Sequence, residues 1–116
     1  MNIPVIDDDI KLTEKLKRFL SNKGFTVFIA NTPTEALKQS QKVDIDICLL
    51  DIQLPEYDGI QLLEKLKNNS STLEVIMMSG YGTMDSVIES MQLGALDFLK
   101  KPFKYADLEL ALNRSN

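Results

Sequence analysis

The sequence predicts a doubly wound α/β domain, a five-stranded parallel sheet covered by five helices. Three observations carry that expectation. Short apolar runs alternate along the chain with segments of helical periodicity, the pattern of repeated βαβ units. The most apolar of these runs, Ile47-Cys48-Leu49-Leu50, shows no in–out alternation, so it reads as a strand covered on both faces. It ends abruptly in Asp51, before a loop with Pro55 and Gly59, and open parallel sheets bind their ligands at the carboxyl ends of strands.

Each element can be justified in order. Ile3-Pro4-Val5-Ile6 breaks into Asp7-Asp8-Asp9 and reads as a first strand with an acidic loop at its end. Proline removes a ladder donor, so Pro4 is expected at or near the strand's first residue. Leu12, Leu16, Phe19 and Leu20 recur at helical spacing and predict a helix over about 10–22, stopped by Gly24. Phe25 to Ile29 is aromatic and β-branched, a second strand. Thr32-Pro33-Thr34-Glu35 starts the second helix: Thr32 caps, Pro33 suits the first helical position, and Glu35 reaches back in a capping box. Ile45 to Leu50 is the third strand, and Ile60, Leu62, Leu63 and Leu66 mark the third helix.

Leu73 to Met78 is a fourth strand ending at Ser79-Gly80-Tyr81-Gly82. Met84, Val87, Ile88 and Met91 then fall at i, i+3, i+4 and i+7, a fourth helix ended by Gly94, whose Met stripe reads as core packing. Leu96 to Leu99 is a short fifth strand before Lys100-Lys101-Pro102-Phe103. Tyr105, Leu108, Ala111 and Leu112 define the last helix.

Composition narrows the function. At 116 residues the chain reads as one domain, 1–116, able to build a core without disulfides or a structural metal. There is no His and a single Cys, which excludes zinc fingers, disulfide frameworks, His-based acid–base pairs and Ser-His-Asp triads. Cys48 lies inside an apolar run and reads as a buried, inert thiol. A net charge of −4 argues against nucleic acid as the direct partner. Neither a membrane span nor a signal peptide pattern is present, so a cytoplasmic location with no membrane partner is expected.

The strand ends assemble the chemistry. They bring Asp7, Asp8 and Asp9, then Asp51, then Ser79 and Gly80, then Lys101 to one rim of the sheet. The second strand ends in uncharged Ala30-Asn31, which suits an edge strand outside the site. Carboxylates this close raise one another's pKa unless a cation joins them, and hard oxygen ligands suit Mg²⁺. Mg²⁺ held by Asp8 and Asp51 would leave room for phosphoryl oxygens, with Lys101 and Ser79 to hold the others. Asp51 is therefore the expected phosphoryl acceptor. Asp9 reads as the cap of the first helix, and Lys100 as solvated surface.

At this point the sequence resembles the receiver domains of bacterial two-component response regulators. The residues that carry the resemblance are Val5-Ile6-Asp7-Asp8-Asp9, Leu49-Leu50-Asp51-Ile52-Gln53-Leu54-Pro55, Asp58-Gly59, Met78-Ser79-Gly80-Tyr81-Gly82-Thr83, Gly94-Ala95 and Phe98-Leu99-Lys100-Lys101-Pro102-Phe103. It implies a flavodoxin-like strand order, 2-1-3-4-5, and a histidine kinase or phosphotransfer protein as phosphodonor. By the same resemblance Asp8 binds Mg²⁺ directly, Asp7 through water, and Gln53 through its backbone carbonyl. Ser79 and Lys101 contact the phosphoryl group, and the Lys101-Pro102 peptide is cis, aiming the ammonium inward.

Ser79 and Phe98 match the switch residues. Phosphorylation draws the Ser79 hydroxyl inward, an aromatic fills the vacated space, and the surface of the fourth helix, fifth strand and fifth helix changes for an output domain or a second copy. Gln53 and Tyr81 match positions that modulate loss of the phosphoryl group. The segment 79–83 is similar to receivers of the nitrogen-regulatory type, which precede ATPase and DNA-binding modules, and this implies a role in transcription regulation; because no linker follows the last helix, an excised receiver is favoured over a short stand-alone protein.

Two other functions compete. A haloacid dehalogenase-like, Mg²⁺-dependent aspartyl-phosphate phosphatase needs a carboxylic acid two residues after its nucleophile, where this chain has Gln53. The expectation is accordingly a phosphoacceptor, with only self-catalysed transfer and slow autodephosphorylation, and no enzyme. A flavin-binding module wants a loop rich in Ser, Thr and Gly after the first strand, where this chain has three Asp.

Overall fold

The computed structural model describes residues 1–42, 45–54, 58–80 and 83–114. Five strands alternate with five helices: β1 (Asn2–Ile6), α1 (Ile10–Asn22), β2 (Thr26–Ala30), α2 (Pro33–Lys42), β3 (Ile47–Asp51), α3 (Gly59–Asn69), β4 (Glu74–Ser79), α4 (Met84–Gln92), β5 (Asp97–Lys100) and α5 (Tyr105–Asn113). The strands form one parallel sheet in the order β2-β1-β3-β4-β5, as expected, with β2 at an edge.

The sheet divides the core into two layers. On one face Ile6, Cys48, Leu50, Val75 and Met77 pack against Ala36 of α2 and Ile60, Leu62, Leu63 and Leu66 of α3. On the other, Ile3, Val5, Leu49, Ile76 and Met78 meet Leu16 and Leu20 of α1 and Leu108 and Ala111 of α5. Phe19 and Tyr105 stack at 4.1 Å between centroids and Lys23 pairs with Glu109 at 2.8 Å, tying α1 to α5. β3 is buried along its whole length, the reason its sequence shows no alternation.

Four strands start one or two residues later than the apolar pattern suggests. Phe25, Ile45, Leu73 and Leu96 pack on the core, but from the turn before each ladder begins. Burial is what hydropathy reads; ladder pairing is not.

Pro4 departs further from expectation. It is the third residue of β1, not the first, and β1 lies inside the sheet. The register removes the conflict. Met1 accepts from Thr26 N–H and Asp7 N–H donates to Ala30, so odd-numbered residues of β1 bond towards β2. The Pro4 nitrogen therefore faces β3, whose pairing with β1 begins only at Val5.

The expected capping of α2 is present with one shift. Thr32 Oγ1 accepts from Glu35 N–H at 3.2 Å, but Glu35 Oε2 accepts from Asn31 N–H, one residue before the cap. Gly94, with φ of +99°, ends α4 as expected.

The Met stripe of α4 is not core. Met84, Ile88 and Met91 are 73%, 47% and 44% exposed, and Ser90 is the buried residue of that helix. Helical periodicity identifies an apolar face but not what covers it.

Candidate functional site

The carboxyl rim of the sheet brings together Asp7, Asp51 and Lys101. Asp7 follows β1 and is fully buried; Asp51 ends β3 and is nearly so. Lys101 Nζ donates to Asp7 Oδ2 at 2.5 Å and to Asp51 Oδ2 at 3.3 Å. Lys101 is also fixed through its backbone, whose N–H donates to Ser79 O at 2.8 Å. The Lys101-Pro102 peptide is cis. Asp8 is exposed at the mouth, with carboxylate oxygens of Asp7, Asp8 and Asp51 within 4.8 Å of one another.

The loops are locked around these side chains. Asp7 Oδ1 accepts from Asp9 N–H at 2.9 Å. Asp9 in turn caps α1 by accepting from Leu12 N–H, the role expected of it. After β3 the chain doubles back: Gly59 N–H donates to Ile52 O, Gln53 and Asp58 form an antiparallel bridge, and Asp58 caps α3 through Ile60 N–H. A Cβ at Gly59 would overlap the Asp51 carbonyl oxygen and the Ile52 backbone, so only glycine fits there. Gln53 N–H turns instead to Asp51 Oδ1, at 3.2 Å.

The electrostatics follow from that geometry. Burial, then the neighbouring charge of Asp7, pushes the Asp51 carboxyl up to about 6, while Gln53 N–H and Lys101 pull it down. Lys101 is held above the ordinary lysine value, because its bonds and charge contacts with Asp7 and Asp51 outweigh burial. Burial drives the Cys48 thiol up to about 12, which makes it inert. One ammonium, paired with two of the three carboxylates, leaves a net negative pocket lined with hard oxygen donors, which fits a small divalent cation.

Ser79 is fully buried at the end of β4, where Ile52 N–H bonds the preceding residue, Met78, so it adjoins the end of β3. Phe98 is half-buried and packs on the α2–α3 side of the core. Gln53 is exposed; Tyr81 lies outside the described residues. Lys100 is exposed, as expected of solvated surface. Sequence reasoning missed Asn31, whose side chain reaches the Asp7 carbonyl, because an uncharged amide at a strand end carries no signal by itself.

Fold and rim together define the class, a doubly wound α/β domain with an acidic, cation-seeking pocket at its carboxyl edge. The model of the response regulator receiver domain matches residues 3–113, and the chain belongs to that family. It is thus a phosphorylation-dependent signalling switch and not an enzyme, and the match lends nothing to the dehalogenase-like alternative.

Among curated relatives, the transcriptional regulatory protein ZraR of Klebsiella oxytoca is 34% identical over 99% of this chain, which covers 26% of that protein. The chain thus spans about a quarter of that relative's length. Among solved structures, the beryllofluoride-activated NtrC4 receiver domain dimer superposes with a TM-score of 0.92 at 29% identity, covering 98% of this chain and 95% of that one. A response regulator from Burkholderia pseudomallei, solved with a phosphorylated aspartic acid, a calcium ion and citrate, gives 0.90 at 27% identity, covering 98% and 68%.

Proposed function

We propose that residues 1–116 form one receiver domain in which Asp51 accepts a phosphoryl group from a histidine kinase or phosphotransfer protein. The observation that carries this reading is the cluster itself: Asp7, Asp8 and Asp51 within 4.8 Å, and Lys101 bridging Asp7 and Asp51. Asp51 has the required nucleophile. With a pKa of about 6 it is largely ionised at neutral pH, and its two oxygens are held by Gln53 N–H and Lys101 at the end of β3. An Asp51 oxygen forms the new O–P bond as the P–N bond of the donor breaks, and the electron pair leaves with the imidazole.

Asp7, Asp8, Asp51 and the Gln53 carbonyl would hold Mg²⁺. In an extended segment the N–H and C=O of one residue share an edge, so the Gln53 N–H bond to Asp51 supports its carbonyl as a ligand. Bound there, Mg²⁺ would supply positive charge to offset that of the incoming phosphoryl oxygens. Lys101 and Ser79, joined through the Lys101 N–H···O Ser79 bond, hold the remaining oxygens. Gln53 and Tyr81 control access of water to the acyl phosphate. The Burkholderia relative, with its phosphorylated aspartic acid and calcium ion, supports the same assignment.

The switch runs through Ser79 and Phe98 to the surface of α4, β5 and α5. The output is an attached module or a second copy, and the NtrC4 receiver domain dimer supports the second copy. Transcription regulation is the role suggested by the regulatory relatives. The domain makes no direct nucleic acid contact. A cytoplasmic location without a membrane partner completes the reading; no helix among the described residues is long and apolar enough to cross a membrane.

Acetyl phosphate with Mg²⁺ tests the assignment. Intact-mass measurement should show one phosphoryl adduct on the parent protein and none on Asp51→Asn. Equal labelling of the two proteins refutes Asp51 as acceptor.

A further inference from the structure

Asn31 lies at the start of the connection from β2 to α2, half-buried. Its side-chain Nδ2 donates to the Asp7 carbonyl oxygen at 2.9 Å, across 24 residues of sequence. Beside it, Asp7 N–H donates to Ala30 O at 3.0 Å, so Asp7 is bonded to two consecutive residues at the end of β2. Asn31 is itself fixed, since its backbone N–H donates to Glu35 Oε2 at 3.1 Å in the first turn of α2. A continuous path of hydrogen bonds thus runs from Glu35 through Asn31 and Asp7 to Lys101.

The bonded carbonyl belongs to the peptide plane that joins Asp7 to Asp8. Fixing that plane fixes the Cα positions of both residues and so limits the directions their side chains can take. The need for such an anchor is electrostatic. Three carboxylates within 4.8 Å repel one another, and an outward shift of the loop after β1 would relieve that repulsion. An amide suits the task because it donates a bond and adds no charge. A lysine there would compete with a metal cation, and an aspartate would add to the repulsion.

We propose that Asn31 is a positioning residue for the acidic pocket, holding the Asp7–Asp8 peptide so that both carboxylates converge on Asp51. The inference rests on the reading of that pocket as the Mg²⁺ and phosphoacceptor site. Partners behind metal ligands are worth about tenfold or more in affinity when removed.

The test compares the parent protein with Asn31→Leu, which keeps the size and removes the donor, and with Gln39→Leu. Gln39 is the matched control: its Nε2 donates to Ile29 O at 3.1 Å in the same region, without a bond to Asp7. Calorimetric titration with MgCl₂ at constant ionic strength should give a dissociation constant about tenfold weaker for Asn31→Leu, and within about twofold of the parent for Gln39→Leu. In metal-free protein, hydrogen exchange at the Asp9 amide, which is held by Asp7 Oδ1, should quicken in Asn31→Leu alone.

Parent-like Mg²⁺ affinity in Asn31→Leu overturns the proposal, whatever its melting temperature. Equal weakening in the two variants also overturns it, because the effect would then be one of general stability. If Asn31→Leu does not fold, Asn31→Ser is judged by the same two measurements. A parent protein that binds no Mg²⁺ refutes the reading of the pocket instead, and the Asp9 exchange rate still decides whether Asn31 fixes the loop.

Discussion

Replacing Asp51 by Asn should stabilise the metal-free protein at neutral pH, although Asp51 is the proposed phosphoryl acceptor. In the folded chain its carboxyl is raised from 3.8 to about 6, by burial first and the Asp7 charge second. Between about pH 4 and 6 the folded state holds a proton that the unfolded state has released. Stability therefore falls as pH rises through that window, and the deficit is complete above about pH 6. A shift of this size corresponds to at most about 3 kcal/mol, and the polar mouth of the pocket reduces it to about 2 kcal/mol. For a domain of this size that is roughly 8 °C in melting temperature. Asparagine keeps the shape and removes the charge, and Lys101 retains Asp7 as its partner.

Thermal melts in EDTA from pH 4 to 8 would measure the difference. Asp51→Asn should melt higher at pH 7, and the gap should close as the pH falls towards 4. Mg²⁺ should then raise the parent towards the variant and raise the variant much less, because ligand binding to the folded state adds RT ln(1 + [Mg²⁺]/Kd). A parent as stable as Asp51→Asn at pH 7 in EDTA, or a gap that does not change with pH, refutes this account of the pocket.

Other substitutions test single contacts. Gly59→Ala should cost about 2 kcal/mol or more in urea unfolding and lower the rate of phosphorylation by acetyl phosphate, because its Cβ meets the Asp51 and Ile52 backbone. Asp9→Ala should cost about 1 kcal/mol in the same assay, through the lost cap of α1, and leave the site of phosphorylation unchanged. Ile88→Lys should change the urea midpoint by an amount equivalent to less than about 0.5 kcal/mol, since the side chain is 47% exposed; a loss of 2 kcal/mol or more would restore it to the core.

The parts of the fold that depend on periodicity were legible in the sequence. Buried strands read as unbroken apolar runs, and Asp51, Ser79 and Lys101 follow from one rule about where parallel strands end. The misreadings have a shared cause. Apolar patterning puts Phe25 and Leu73 in strands, and the α4 stripe in the core, because hydropathy reports preference for an apolar environment without naming the neighbour that supplies it. Pro4 inside β1 depends on which edge its nitrogen faces, a property of register rather than composition. The Asn31 bond to Asp7 joins positions 24 apart through a backbone atom, so no residue type at either end announces it.

The two sides of the sheet differ in compliance. Behind β1 and β5, α1 and α5 are joined by the Phe19–Tyr105 stack and the Lys23–Glu109 pair, which makes that flank a stiff footing. On the opposite flank, α4 rests on one buried serine, with its apolar ridge turned outward. Displacing it removes little apolar surface from the interior, so the work required is small compared with moving either helix of the stiff pair. If Asp51 accepts a phosphoryl group as proposed, α4 is the helix whose displacement would cost least, while the α1–α5 flank would hold the geometry of the pocket.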